Sequence, residues 1–564
     1  MTPGWRSVAQ ATGGVVAAGK LRGITTDVLT RLRDGGDISG RVSRGGNVCG
    51  PFLKRNSAVW VAVGLALAGP GVDASATTPP ARPNIILILA DDLGWADPGF
   101  HGGDPSLTPN IDRLAREGTR FEQFLMTPVC ATTRAALLTG RYPFRTWMDW
   151  RSEDFGKPNY LRLLGRDLPR LSDGTPTRAI HGLPTEERTL AEALREAGYE
   201  TAVLGKWHLG EWLPEHLPLG QGFDHQYGHY GWGIDYNRYT IPHNAPAIFC
   251  VYDWHRDQQP VFEQGYATDL IANEAVRLIG SRADDRPFFH YVAFNAIHGP
   301  LEEIPRHQHL DKRAAAIRCL DEAVGRIVAA VDQAGLAEET LVIFTNDNGG
   351  LTEEVNRPWR GTKNTTYEGG IRVPFVARWP GRIAAGGENR ELMHVTDLYP
   401  TLVQLAGGSL QQPLPLDGIG MRETLLDGHP SRRTEVIIEA SGSVRLPTIR
   451  QGRYKLVGKA LYDLVTDPGE RTDIAAARPA VGERLRTRLA EVSATRPPLD
   501  PAAELMEPAL PFVYGRDENQ RVPDWLRRHV SGLRALQPQT YPPGETPWPQ
   551  PPRDGKIRYT GDGR

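Results

Sequence analysis

Residues 85–90 read Ile-Ile-Leu-Ile-Leu-Ala, an unbroken apolar run in which three of the six residues are β-branched. A strand with one wet face alternates apolar and polar side chains. A run with no polar face needs cover on both sides, as a strand inside a parallel or mixed sheet has. The same texture recurs at residues 288–294 and 341–345, with a shorter stretch at 201–204. Between them Ile317, Leu320, Val324, Ile327, Val328 and Val331 fall on one stripe at helical spacing. The pattern predicts an α/β fold: a large mixed sheet sandwiched by helices, with working loops at the carboxyl ends of the strands. From about residue 434 the texture changes to short alternating runs at 436–439, 448–450 and 454–457, which predicts a smaller C-terminal antiparallel sheet.

With 564 residues, the chain is long enough for a large domain and a second small one, each with its own core. The expected division is 1–81 as upstream segment and signal, 82–430 as the main domain, 431–500 as the small domain and 501–564 as a Pro-rich tail. Within the first of these, Lys54 and Arg55 precede an apolar run at 58–68 and then Ala74-Ser75-Ala76, the order of an export signal with its cleavage site. That run is shorter than the ~20 residues a spanning helix needs, so export to the periplasm or exterior without a stable membrane anchor is expected. The signal lies some way into the chain, and a start near Val48 fits it better. Sixty-five basic residues against 67 acidic ones give no whole-chain attraction to nucleic acid. Of the four cysteines, Cys49 leaves with the signal. Cys130, Cys250 and Cys319 remain and cannot all pair, and a bridge from Cys250 to Cys319 stays open.

Asp91 and Asp92 directly follow the first apolar run, and Asp347 and Asn348 follow the run at 341–345 in the same way. Turns attract Asp and Asn for their own reasons. Two such pairs in matching positions point instead to a shared oxygen-only set at one sheet edge, suited to Ca²⁺ or Mg²⁺ and unlike a thiolate or imidazole zinc site. Cys130 opens the run Cys-Ala-Thr-Thr-Arg-Ala-Ala-Leu-Leu-Thr-Gly-Arg. Thr132 and Thr133 are suited to cap a helix there, which would put Cys130 near a helix N-terminus, where an anion is favoured. An isolated cysteine in such a place is more often structural.

This run resembles the signature of the type I sulfatases: Cys, any residue, Pro or Ala, any residue, Arg, then Leu-Thr-Gly-Arg. Further segments match in order: Pro-Asn-Ile-Ile-Leu-Ile-Leu-Ala-Asp-Asp from Pro83, Gly-Lys-Trp-His-Leu-Gly from Gly205, His298-Gly299-Pro300, Asn-Asp-Asn-Gly-Gly from Asn346 and Arg-Gly-Thr-Lys from Arg360. The resemblance spans roughly residues 83–468 and implies an alkaline-phosphatase-like fold. It also implies that Cys130 is oxidised by a maturation enzyme to formylglycine, whose hydrate attacks sulfur and passes through a sulfated enzyme. Asp91, Asp92, Asp347 and Asn348 would hold one Ca²⁺, together with the modified Cys130. Arg134 would hold the hydrate, and Lys206 and Lys363 would clamp sulfate. His208 would act as base, and His298 would serve the leaving oxygen. Thr132 departs from the signature, standing where Pro or Ala is usual, and that bears on maturation.

Two other functions fit parts of this pattern. A phosphate or phosphonate ester hydrolase of the same superfamily shares the sheet and some ligands, and a chain whose Cys130 stays a thiol would be a non-catalytic binder of sulfated glycans. Within the sulfatases, residues 182–184, 205–211, 320–325 and 345–350 look most like arylsulfatases and N-acetylgalactosamine-4-sulfatase, so a sulfated aryl or sugar substrate is expected. The polar stretch 149–181 is expected to flank the pocket. Residues 367–370 and 397–400 also resemble family segments and are assigned to turns and packing.

Overall fold

A computed structural model of the chain describes residues 82–148, 182–210, 214–240, 252–282, 285–439 and 446–497. The export signal, the 149–181 stretch, Cys250 and the Pro-rich tail lie outside the described residues. In chain order the strands are β1 (Asn84–Ala90), β2 (Thr119–Phe121), β3 (Phe124–Leu125), β4 (Glu200–Lys206), β5 (His225–His229), β6 (His255–Arg256), β7 (Gln259–Pro260), β8 (Phe288–Ala293), β9 (Thr340–Asn346), β10 (Phe375–Arg378), β11 (Gly387–Asn389), β12 (Met393–His394), β13 (Glu435–Ile438), β14 (Thr448–Gln451), β15 (Tyr454–Val457) and β16 (Ala460–Asp463). The α-helices are α1 (Pro109–Glu117), α2 (Cys130–Thr139), α3 (Leu190–Glu196), α4 (Ala267–Gly280), α5 (Lys312–Gln333), α6 (Glu368–Ile371), α7 (Leu398–Leu405), α8 (Arg422–Asp427) and α9 (Pro479–Ser493).

Ten of these strands form one mixed sheet in the order β11-β2-β10-β9-β1-β8-β4-β5-β6-β7. Its centre, β9-β1-β8-β4-β5, is parallel, with β10 antiparallel against β9. The unbroken apolar run has its physical reason here, because β1 is covered on both faces. Ile85, Leu87 and Leu89 join a core with α2, α3 and α7, while Ile86, Ile88 and Ala90 join a second core with α1, α4 and α5. All six residues of the expected α5 stripe are buried in that second core. Asp311 starts α5 by accepting the N–H groups of Arg313 and Ala314. Asp321, further along α5, accepts from the N–H groups of Asn110 and Ile111 at 2.9 and 2.8 Å and so satisfies the first turn of α1. The 320–325 segment thus also serves the packing of α5 on α1.

The small C-terminal sheet is β13-β14-β15-β16, antiparallel throughout, with α9 on one face. Its fourth strand, β16, adds Ala-Leu-Tyr-Asp to the three runs read from the sequence. Its junction with the large sheet is ionic and buried. Lys455 Nζ lies 2.9 Å from both Glu368 and Glu470, and the N–H of Glu368 donates to Glu470 at 2.6 Å. Asp397 is likewise buried and paired with Arg433. The 367–370 and 397–400 segments do serve packing, but they are the starts of α6 and α7, not simple turns. Cys319 is a buried free thiol on α5, beside Arg306. Among the described residues, no helix is long and apolar enough to cross a membrane.

Candidate active site

Parallel pairing brings the two acidic pairs together. Ala90 lies in register with Asn346, so the residues that follow them leave the sheet side by side at its carboxyl edge. Asp347 N donates to Ala90 O at 3.1 Å, and Asp92 N donates to Asp347 Oδ1 at 3.3 Å. Asp92 turns out of the strand with φ 63°, in the left-handed region that Asp tolerates better than most residues. Asp91, Asp92, Asp347 and Cys130 each offer an atom to one cluster whose members all lie within 4.8 Å of one another. Asn348 Nδ2 donates to Asp92 Oδ1 at 2.8 Å, and its Oδ1 is buried with no hydrogen-bond partner among the described residues. Three buried carboxylates and an orphaned amide oxygen form a donor set that fits a hard divalent cation.

Cys130 is the first residue of α2, and Val129 is its N-cap, without a side-chain cap. This corrects the expected capping by Thr132 and Thr133. Both threonines are inside the first turn, where Thr132 Oγ1 donates back to Val129 O at 2.7 Å and Thr133 Oγ1 donates to Asp347 O, also at 2.7 Å. Thr133 thereby ties the helix that carries Cys130 to the loop that carries Asp347, a role no local pattern announced. Cys130 Sγ lies 3.7 Å from Asp91 Oδ1, and burial together with the charge of Asp91 pushes its thiol up to about 12. At neutral pH this sulfur is a thiol, not a nucleophilic thiolate.

Cations surround the cluster. Arg134, one turn along α2 and fully buried, reaches Asp91 at 3.1 Å and Asp347 at 3.2 Å, and donates to Lys206 O at 2.8 Å. Lys206 ends β4 with Nζ 2.5 Å from Asp91 Oδ2, and Lys363 Nζ lies 2.7 Å from Asp92 Oδ1. Three basic side chains thus face three carboxylates. Burial disfavours the ionised form of Asp91, but Lys206, His298 and Arg134 outweigh it and hold that carboxyl well below its usual range. For Asp347, burial and the neighbouring charge of Asp91 win over Arg134, and its carboxyl is pushed up to about 7.

His208, two residues past Lys206, has φ 58° and donates its N–H to Tyr230 O at 3.0 Å. A non-glycine side chain held in that region is a local strain of the kind found at working sites. Burial and the positive charges of Lys206 and Arg134 drive its ring well below the ordinary histidine range. His298, on the loop after β8, has Nε2 3.8 Å from Asp92 Oδ2 and Nδ1 2.7 Å from Gly299 O. Since the carbonyl only accepts, Nδ1 carries the proton in the neutral ring and Nε2 faces the site as a lone pair. Burial, with Lys206 and Lys363 nearby, lowers its pKa to about 4. The candidate catalytic and metal residues Asp91, Asp92, Cys130, Arg134, Lys206, His208, His298, Asp347, Asn348 and Lys363 therefore lie at this one edge of the sheet. Tyr291, whose OH is 3.5 Å from Arg134 Nη1, also lies there, and as an aromatic in a buried strand it carried no sequence signal.

Residues 83–409 match the sulfatase family, and residues 361–495 match the C-terminal region of N-sulphoglucosamine sulphohydrolase. The chain belongs to the sulfatase family. It is a sulfuric ester hydrolase with the family's mixed sheet and small C-terminal sheet. Human arylsulfatase A is 35% identical over 497 residues, covering 77% of this chain and 89% of the relative. Rat N-acetylgalactosamine-6-sulfatase is 35% identical over 373 residues, covering 62% and 67%. Among solved structures, Ps i-CgsB in complex with k-i-k-neocarrahexaose is 29% identical with a TM-score of 0.64, covering 74% of this chain and 94% of that one.

Proposed function

We propose that this chain hydrolyses aryl sulfates or sulfated carbohydrates, using a formylglycine made from Cys130 and one Ca²⁺ held by Asp91, Asp92, Asp347 and Asn348. The observation that carries this reading is the buried oxygen cluster around Cys130, with an orphaned amide oxygen among its donors. A bound divalent cation would polarise sulfate oxygen and offset charge that develops on it. A hydrated formylglycine supplies two hydroxyls on one carbon, one to attack sulfur and one whose deprotonation ejects sulfate and restores the aldehyde. An unmodified thiol held at about 12 supplies neither.

The chain's own residues set up the rest. Lys206 and Lys363 present ammonium groups to two different carboxylates of the cluster, Asp91 and Asp92, as point charges suited to a tetrahedral anion. Arg134 is locked by Asp91, Asp347 and Lys206 O and would orient residue 130. His208, kept neutral by burial and nearby cations, would serve as the proton acceptor for the residue 130 hydroxyl. His298 presents the Nε2 lone pair at rest. The negative charge of an arriving sulfate favours its protonated form, which can then donate to the leaving oxygen.

The reading extends to the chain's handling. A maturation enzyme would convert Cys130, the protein would act in the periplasm or outside the cell, and the catalytic and small C-terminal domains would divide near residue 430. Comparing 4-nitrophenyl sulfate with 4-nitrophenyl phosphate on the calcium-loaded chain tests the substrate class. Sulfate should be preferred by orders of magnitude, and a comparable preference for phosphate would overturn the assignment in favour of the related phosphohydrolases.

A further inference from the structure

The large apolar side chains exposed among the described residues are Trp232 (38%), Leu351 (61%), Leu446 (43%) and Val465 (68%). A single exposed apolar residue needs no explanation by itself. Trp232 differs in its position. It lies three residues beyond β5, whose last residue, His229, is in register with Lys206, so its loop leaves the sheet at the same carboxyl edge as the catalytic cluster. Its ring centroid is 5.6 Å from that of His298 at an interplanar angle of 64°, so the two rings are not stacked face to face.

The loop is also held in place. Tyr230 and Gly231 donate their N–H groups to the buried carboxylate of Asp253 at 2.9 and 2.7 Å. Asn295 Nδ2 donates to Ile234 O at 3.3 Å, and Tyr236 OH donates to His298 O at 2.8 Å. At Gly233 a β-carbon would come within 3.3 Å of His298 Nδ1, so the loop passes tightly against that histidine. On this held loop the Trp232 indole sits part open to solvent, beside the group assigned to the leaving oxygen. Whatever carbon skeleton that oxygen belongs to must emerge next to it.

We propose that Trp232 is the stacking platform for the leaving group, selecting alcohols that present a flat or apolar ring face, aryl or pyranose, over ringless alkyl alcohols. This rests on the placement of His298 at the leaving oxygen. The test compares kcat/KM for 4-nitrophenyl sulfate, N-acetylgalactosamine 6-sulfate and sec-butyl sulfate on the mature, calcium-loaded chain. Trp232→Ala should lower selectivity for each ring ester over sec-butyl sulfate about tenfold, chiefly through KM, and Trp232→Phe should keep most of it. Loss on one ring ester alone identifies which ring the platform serves. Equal loss on all three esters, or unchanged selectivity, overturns the proposal.

Calorimetric binding of N-acetylgalactosamine 6-sulfate and 4-nitrophenyl sulfate to Cys130→Ala, with and without Trp232→Ala, decides the same question without turnover. Weakening of about tenfold on either ligand supports the platform, and equal affinity for both removes it. A chain that turns over no sulfate ester yet loses ring binding with Trp232→Ala would sink the sulfatase reading and the leaving-group role with it, and leave Trp232 as a site of ring binding alone.

Discussion

Lys206 Nζ lies 2.5 Å from Asp91 Oδ2, and neither side chain reaches solvent. An ammonium is thus tied to the carboxylate cluster proposed to hold the cation. Lys206→Ala should cut kcat/KM about 100- to 1,000-fold on every sulfate ester, whatever its leaving group, because it removes a charge that acts on the transferred group itself. Rates across a panel of leaving groups check this. A loss confined to one class of alcohol would contradict the clamp.

Chelation should abolish turnover and calcium should restore it, with zinc a poor substitute for an oxygen-only set. Metal content measured beside the rate guards against a slowly released ion. Asp347→Ala should weaken calcium binding severely.

Calcium binding should also depend on pH in a defined direction. Asp347 is pushed up to about 7 by burial and by Asp91, so below that pH a proton occupies a group the cation needs. Affinity should therefore be full above about pH 7 and fall as the pH drops through it, with about one proton released per calcium bound at pH 6 and little at pH 9. Calorimetry in buffers of different ionisation enthalpy measures the release, and pH-independent affinity would remove Asp347 from the ligand set.

Cys130→Ser keeps one hydroxyl near the same position but lacks the second, which elimination needs. Incubated with substrate, it should accept the sulfuryl group on serine, release the alcohol once and stop. Intact-protein mass spectrometry should show the added sulfate, and the mature wild type should carry the aldehyde or its hydrate at position 130. Sustained wild-type-like turnover by the serine variant would rule the elimination out.

Lys455 is buried between Glu368 and Glu470, each 2.9 Å away, at the junction of the two sheets. Lys455→Met leaves two buried carboxylates facing each other and should cost about 3–5 kcal/mol of stability. Gly369 N donates to Arg360 O and Lys363 N donates to Gly350 O, so the loop bearing Lys363 hangs on this junction and activity should fall as well. Equilibrium denaturation reads the first effect, and an unchanged midpoint would show the cluster to be incidental.

The central sheet was legible because burial on both faces leaves its mark in consecutive residues, as in β1 and β9. The candidate site was legible because its acids directly follow those strands. Other features leave no local trace. Glu368 and Lys455 are 87 positions apart, and although 367–370 reads as a packing segment, nothing in the sequence pairs Glu368 with Lys455. Thr132 and Thr133 looked like caps because hydroxyls favour helix starts, yet their hydroxyls bond to Val129 O and Asp347 O, and the second acceptor is a long-range partner. Trp232 matters through its neighbour across the fold, and no spacing in the chain joins it to His298.

The bond from Asp92 N to Asp347 joins residues 255 positions apart, and β1 finds its two sheet neighbours only in β8 and β9. The first half of the pocket thus emerges during synthesis well before the second. No growing or truncated chain that ends before β9 can hold an ion between those loops. The proposed site would report on assembly: metal capture would mark the moment when the earliest and latest strands of the sheet's parallel centre have met, and a fragment lacking β9 should be blind to calcium however well its helices form.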